Sequence, residues 1–184
     1  KLLKGTEITL EADELKALEQ MRRLPRSAEA RIGADKKRNR EIVKSIARHD
    51  DDWTVLVFAA SVEHAQVIAG LLAREGITAA AISADTDPAA RRHYVEQFRE
   101  KKLRVITNYG VFTQGFDAPA VRAVYVTRPT YSPNLYQQMI GRGLRGPKNN
   151  GKETCLIVNV EDNVVNFGEE LAFREFEPLW RDSP

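Results

Sequence analysis

Thr54-Val55-Leu56-Val57-Phe58-Ala59-Ala60 is the stretch on which the fold turns. An apolar run with no polar alternation is the pattern of a strand covered on both faces. Ser61 follows where a hydroxyl can cap a helix. Val62, Ala65, Ile68, Ala69 and Leu72 then form a buried stripe at helical spacing, and Gly76 ends it. Thr78 to Ser83 reads as a second strand, and Asp87-Pro88 opens a helix with Val95 and Phe98 inward. Leu103 to Thr107, Arg122 to Thr127 and Thr154 to Val160 supply three further short strands. Strands separated by helices of about ten residues require right-handed crossovers and a parallel sheet. The fold class is therefore α/β, a mainly parallel sheet flanked by helices. In such a sheet ligands lie beyond the carboxyl ends of the strands. Those ends are Ser61, Ser83-Ala84-Asp85, Asn108 to Ala118 and Thr127 to Tyr131.

Working outward, residues 1–50 read as a helical extension with a loose start. Leu15, Leu18 and Met21 form a narrow apolar stripe, Pro25-Arg26-Ser27 interrupts it, and a second helix runs from Asp35 to Arg48. The extension is expected to be a connector or accessory layer, residues 51–160 one domain, and residues 161–184 an acidic tail with scattered aromatics. That tail packs back on this domain or on another. No internal repeat or low-complexity segment is evident.

The composition, 42% hydrophobic and 29% charged, is that of a globular protein, and 184 residues suffice for one well-buried core. No apolar run approaches the roughly 20 residues of a membrane span, and no signal peptide is evident. The single Cys155 sits in the apolar run Cys155-Leu156-Ile157-Val158 and reads as a small core residue. One cysteine forms neither an internal disulfide nor a Cys-type zinc site, which suits a reducing cytoplasm. Lys1 at the start, with Met21 and Met139 the only methionines, leads us to expect a piece of a longer protein. Net charge is +2, unevenly spread. Ten basic residues between Arg22 and Arg48 oppose Glu29, Asp35 and Glu41, whereas seven acids from Glu161 onward oppose Arg174 and Arg181. A solvated helix surface and a nucleic-acid track both fit that asymmetry.

The chemistry is concentrated in Gln138-Met139-Ile140-Gly141-Arg142-Gly143-Leu144-Arg145. Ser132-Pro133 starts a helix; if it continues, Gln138, Arg142 and Arg145 share one face at i, i+4 and i+7, with Gly141 beside them. Gly141 would let a ligand approach the backbone closely, and the guanidiniums suit phosphate oxygens. Arginines complementing the negative end of a helix are the plainer alternative. Upstream, Asn108 to Pro119 is long for a connection between strands. Gly115 there can expose backbone N–H groups and Asp117 offers a carboxylate, although both also suit a plain turn.

Taken in order, these segments resemble the motifs of superfamily-two helicases. Val55 to Ser61 resembles the fourth motif, Gly115-Phe116-Asp117 before Pro119 the fifth, and Gln138-x-x-Gly141-Arg142-x-x-Arg145 the sixth. Arg128-Pro129-Thr130 and Tyr136 to Met139 resemble the run into the sixth, and Lys152-Glu153 with the strand after them matches how such domains close. Residues 53–160 are similar to the second, C-terminal RecA-like domain, nearest the branch of XPB-like and restriction-type DNA translocases. The resemblance implies an ATP site shared with an N-terminal RecA-like partner that supplies the P-loop Lys and the Mg²⁺ ligands. It implies Arg142 and Arg145 at the γ-phosphate, Gln138, Gly141, Gly115 and Asp117 at the nucleotide, and Ser61, Asn108 and Tyr109 at the nucleic-acid backbone. This chain departs from many relatives at Tyr109, where a threonine or valine stands, and at Gly110, where an acid or threonine stands. Gln138 in place of His argues against a DEAD-box RNA helicase.

Gly146-Pro-Lys-Asn-Asn-Gly151-Lys152 mimics the start of a P-loop, but Glu153 replaces the metal-binding hydroxyl and the loop leads from a helix into a strand, the reverse of the required context. His49, His64 and His93 have no metal-ligand spacing and read as surface or capping residues. The sequence thus points to the motor domain of an ATP-dependent DNA helicase or translocase, inactive as an isolated piece. A non-catalytic RecA-like module for nucleic-acid or protein binding is the alternative. A small-molecule α/β enzyme lacks its fingerprints here.

Overall fold

The computed structural model describes residues 1–111, 121–143, 154–165 and 171–181. Six strands form one sheet: β1 (Leu2–Ile8), β2 (Thr54–Phe58), β3 (Ala79–Ile82), β4 (Val105–Asn108), β5 (Val121–Val126) and β6 (Leu156–Val164). The order is β1-β6-β5-β2-β4-β3, every pairing parallel, as the crossover argument requires. β2 lies inside the sheet and is buried at all five positions, which is why its sequence does not alternate. Leu56 and Phe58 enter one core with Ile82, Ile106, Val124 and Val126; Val55 and Val57 enter the other with Ile68, Leu72, Val105 and Tyr125.

Helices α3 (Lys36–Ala47) and α4 (Val62–Arg74) cover the second face, through Ile42, Val43, Ile46, Ile68 and Leu72. Helices α1 (Ala12–Met21), α2 (Arg26–Gly33), α5 (Pro88–Arg99), α6 (Pro133–Ile140) and α7 (Ala172–Arg181) contribute to the first. Their starts follow the expected local chemistry. Asp35 accepts from Lys37 and Arg38 N–H, Ser61 from His64 N–H and Asp87 from Ala89 and Ala90 N–H.

Two elements depart from the sequence reading. Residues 2–8 are an edge strand on β6 rather than a loose helical start, and after the expected interruption at Pro25 a further helix, α2, begins at Arg26. Leu24, Ala28 and Ile32 of this region are in the first core, so α2 is an integral layer. α7 packs on α6, with the Tyr136 and Phe176 rings 5.4 Å apart, so this part of the tail returns to the same sheet.

A buried ion pair ties the late-chain strand to the extension. Arg38 Nε donates to Asp162 Oδ1 at 2.6 Å and its Nη2 to Asp162 Oδ2 at 2.8 Å, with a further bond of 2.6 Å from Nη2 to the Thr127 carbonyl. Thr6 N–H donates to the same carboxylate at 3.0 Å. A Cβ on Gly5 would overlap Asp162 Oδ1, so only glycine lets β1 come this close.

Candidate nucleotide and nucleic-acid site

Because all strands run parallel, Ser61, Asn108, Tyr109, Thr127 and Arg128 collect along one edge of the sheet. Ser61 is the N-cap of α4, its Oγ accepting His64 N–H at 3.0 Å. The loop before it is held by His64, whose Nδ1 accepts Ala60 N–H at 3.0 Å. The opposite ring nitrogen, Nε2, donates to Asn39 Oδ1 at 3.0 Å, and Asn39 Nδ2 donates to the Gly33 carbonyl at 2.8 Å. With Nδ1 an acceptor, the ring must be the neutral Nε2–H tautomer. Burial, with the Arg38 charge nearby, pushes its pKa down to about 3. His64 is thus a core residue, contrary to the surface or capping role read from the sequence. His93 is exposed, and His49 stacks on Trp53 with centroids 4.6 Å apart.

Asn108 is fully buried, and its Nδ2 donates to the Val57 carbonyl at 2.9 Å. Its amide braces β4 against β2 and turns inward, away from the surface where a phosphate contact was expected. Tyr109 is half-buried, its hydroxyl donating to Glu29 Oε2 at 2.9 Å and accepting from Arg23 Nη2 at 3.3 Å. Arg128 Nη2 reaches the other oxygen of Glu29 at 2.7 Å, and its guanidinium lies 5.2 Å over the Tyr109 ring. Glu29, only 1% exposed, therefore links α2 to the ends of β4 and β5. Sequence reasoning missed Glu29, Arg128, Arg38 and Asp162 as an edge network, because their partners are 80 to 124 residues away.

The arginine-bearing stretch lies elsewhere. Ser132 caps α6 and Pro133 occupies its first turn, but the helix stops at Ile140. Gly141 is the exposed C-cap in αR geometry, and the next two residues close short i−3 turns: Arg142 N–H to the Met139 carbonyl at 3.3 Å and Gly143 N–H to the Ile140 carbonyl at 2.9 Å. Gln138 is exposed on the helix and Arg142 half-buried on the turn, so they do not extend one continuous helical face as expected. The close approach occurs at Gly143, whose Cβ would overlap Cys155 Sγ and Val124 Cγ2. Val124 is mid-strand and Cys155 precedes the first residue of β6, so the turn sits on the flank of the sheet, short of its carboxyl edge. Burial pushes the Cys155 thiol up to about 12, which makes it packing material rather than a nucleophile. Gly115, Asp117, Arg145 and the P-loop mimic at 146–152 lie outside the described residues. Among the described residues no cluster of His, Cys, Asp or Glu could hold a metal ion, and no helix is long and apolar enough to cross a membrane.

A parallel sheet in this order, with polar strand ends at one edge and a glycine-arginine turn on one flank, is a RecA-like domain of superfamily-two type. The model of the helicase conserved C-terminal domain matches residues 37–146, and the chain belongs to that family. A putative mitochondrial ATP-dependent helicase, irc3 of Schizosaccharomyces pombe, is 35% identical over 111 residues, 60% of this chain and 18% of that protein. The putative ATP-dependent helicase IRC3 of Saccharomyces cerevisiae is 33% identical over 106 residues, 58% of this chain and 15% of that protein. The chain thus spans only a small part of these relatives. Among solved structures, a DEAD box protein from Methanococcus jannaschii superposes with a TM-score of 0.61 at 16% identity, covering 97% of this chain and 40% of that one. The C-terminal domain of the DEAD-box protein Dbp5 gives 0.60 at 16% identity, covering 99% and 87%. Both likenesses are of fold.

Proposed function

We propose that this chain is the C-terminal motor domain of an ATP-dependent DNA helicase or translocase, and that residues 51–160 carry the motor fold. In this reading an N-terminal RecA-like domain holds the triphosphate and Mg²⁺, and this domain closes on them. Arg142 and Arg145 present guanidiniums to the γ-phosphate, Gln138 and Gly141 line the nucleotide, and Gly115 and Asp117 meet its sugar side. The edge at Ser61 and Tyr109 bears on the nucleic-acid backbone, while Asn108 holds that edge in shape. The observation that carries the reading is the turn at 141–143. It takes Arg142 out of the helix onto a corner framed by Gly141 and Gly143 beside the sheet.

Chemically the domain then supplies positioning and charge rather than a base or a metal. A guanidinium aimed at a transferring phosphoryl group is worth about 10³–10⁵ in rate, or roughly 4–7 kcal/mol of barrier. A cation that merely complements a helix end is worth about 0.3–1 kcal/mol of stability. In the intact protein, Arg142→Ala or Arg145→Ala should abolish nucleic-acid-stimulated ATP turnover while leaving thermal stability and ATP binding nearly unchanged. Retention of more than about a tenth of turnover by both variants would overturn the assignment. It would favour the alternative of a non-catalytic binding module. Turnover stimulated more strongly by RNA than by DNA of the same sequence would refute the choice of DNA, which rests on the resemblance to the branch of DNA translocases.

A further inference from the structure

Tyr109 stands where the resemblance leads one to expect a small residue at the nucleic-acid backbone, and its hydroxyl is already engaged by Glu29 and Arg23. Besides bearing on the edge itself, its hydroxyl thus holds a neighbouring arginine in place. We infer that Tyr109 anchors an accessory phosphate-binding surface formed by Arg23 and Arg26, on the turn between α1 and α2. The inference rests on the nucleic-acid reading above and adds to it a site outside the motor motifs, contributed by the N-terminal extension.

Three observations carry it. First, the turn is held in place. Leu24, between the two arginines, is buried in the first core, and Arg23 Nη2 bonds the Tyr109 hydroxyl at 3.3 Å, immediately beyond the carboxyl end of β4. Arg23 thus lies on the edge that carries Ser61 while its side chain remains exposed. Second, fold stability does not account for Arg26. It is the first residue of α2, where a cation opposes the helix dipole, and it is exposed. It precedes Glu29 by three residues and so shares the helix face that meets Tyr109 and Arg128. Third, the nearby acids are committed. Glu29 is bonded to Arg128 and Tyr109, and Glu14 to Ser27 and Arg31. Arg23 and Arg26 face solvent, with no carboxylate of the described residues in hydrogen-bond contact. Guanidiniums fixed on a strand-end edge suit the phosphates of a nucleic-acid backbone, recognised without regard to sequence.

The test uses the intact protein and a fluorescein-labelled oligonucleotide, with binding titrated at several salt concentrations between about 50 and 200 mM. Each phosphate contact adds about 0.9 to the slope of log K against log salt, so Arg23→Gln/Arg26→Gln should lower that slope by roughly 1.8. Affinity at about 0.1 M salt should fall on the order of ten- to a hundredfold, equally for unrelated sequences. Arg23→Lys/Arg26→Lys keeps the charge and should keep most of the slope. Tyr109→Phe, which frees Arg23 without removing charge, should weaken binding by less than the double variant. ATP turnover without nucleic acid should be the same in the Arg23/Arg26 variants as in the wild type. A double Gln variant with the wild-type slope, in a protein that binds nucleic acid, refutes this surface and leaves the motor reading standing. A wild-type protein that does not bind nucleic acid refutes both.

Discussion

The carboxyl edge of the sheet and the turn after α6 both present arginines, and they treat them in opposite ways. At the edge, Arg38 and Arg128 are buried against Asp162 and Glu29, with charge neutralised and geometry locked. On the flank, Arg142 is half-buried on a short turn between Gly141 and Gly143, where Gly143 permits close approach to Cys155 and Val124. A paired buried arginine is a structural device, because its desolvation cost is offset only by the bonds it makes. In the reading proposed above, the arginine on the glycine corner serves the nucleotide rather than the fold. The difference teaches that residue type alone does not tell a structural arginine from a candidate phosphate ligand; the fold around it has to be read.

The widest gap between the two regions should appear as turnover. Arg142→Ala is expected to cost about 10³–10⁵ in rate with little loss of stability, and a large fall in melting temperature would erase the distinction. The next effect is in stability. Asp162→Ala strands the Arg38 charge among β1, β5 and α3 and should cost about 3–5 kcal/mol in chemical denaturation. Arg38→Met/Asp162→Leu should recover much of that, since an apolar pair removes both desolvation costs. If the single and double variants are equally unstable, the pair acts through packing alone.

His64 sharpens the comparison through pH. Its folded pKa is depressed to about 3 from an ordinary value of 6.5, so the unfolded chain binds the extra proton between those values. The stability contributed is full above about pH 6.5 and is lost as pH falls toward 3, by a few kcal/mol at most. Denaturation midpoints of wild type and His64→Gln should converge as the pH is lowered through this window. Parallel curves would mean that the Ala60–His64–Asn39 chain does not brace the edge. Smallest is Gly143→Ala. Overlap with Cys155 and Val124 should cost about 1–3 kcal/mol, partly relieved by Cys155→Ala. Should Gly143→Ala prove neutral, the turn is not seated against the sheet as described.

What was legible in the sequence was local. The apolar run of β2, the stripe of α4, the helix starts near Asp35, Ser61, Asp87 and Ser132 and the strand–helix alternation depend on neighbours a few residues apart, and each appears in the structure. The glycine-arginine motif was legible for the same reason, together with the family it belongs to. Tertiary structure alone decided the rest. Leu2–Ile8 carries Lys and Glu in its middle and becomes a strand only because β6 offers it an edge and Asp162 a partner. The eight residues of α2 are too few for a stable isolated helix and hold through Leu24, Ala28 and Ile32 in the first core. α6 ends at Ile140 because Gly141 and Gly143 are poor helix formers and because the strand beneath leaves no room for a side chain at 143. Arg38, Glu29, His64 and Asn108 all look like surface residues in sequence. They are buried because each finds its partner across the fold, and the loss of hydration that burial imposes is tolerable only where those bonds are made.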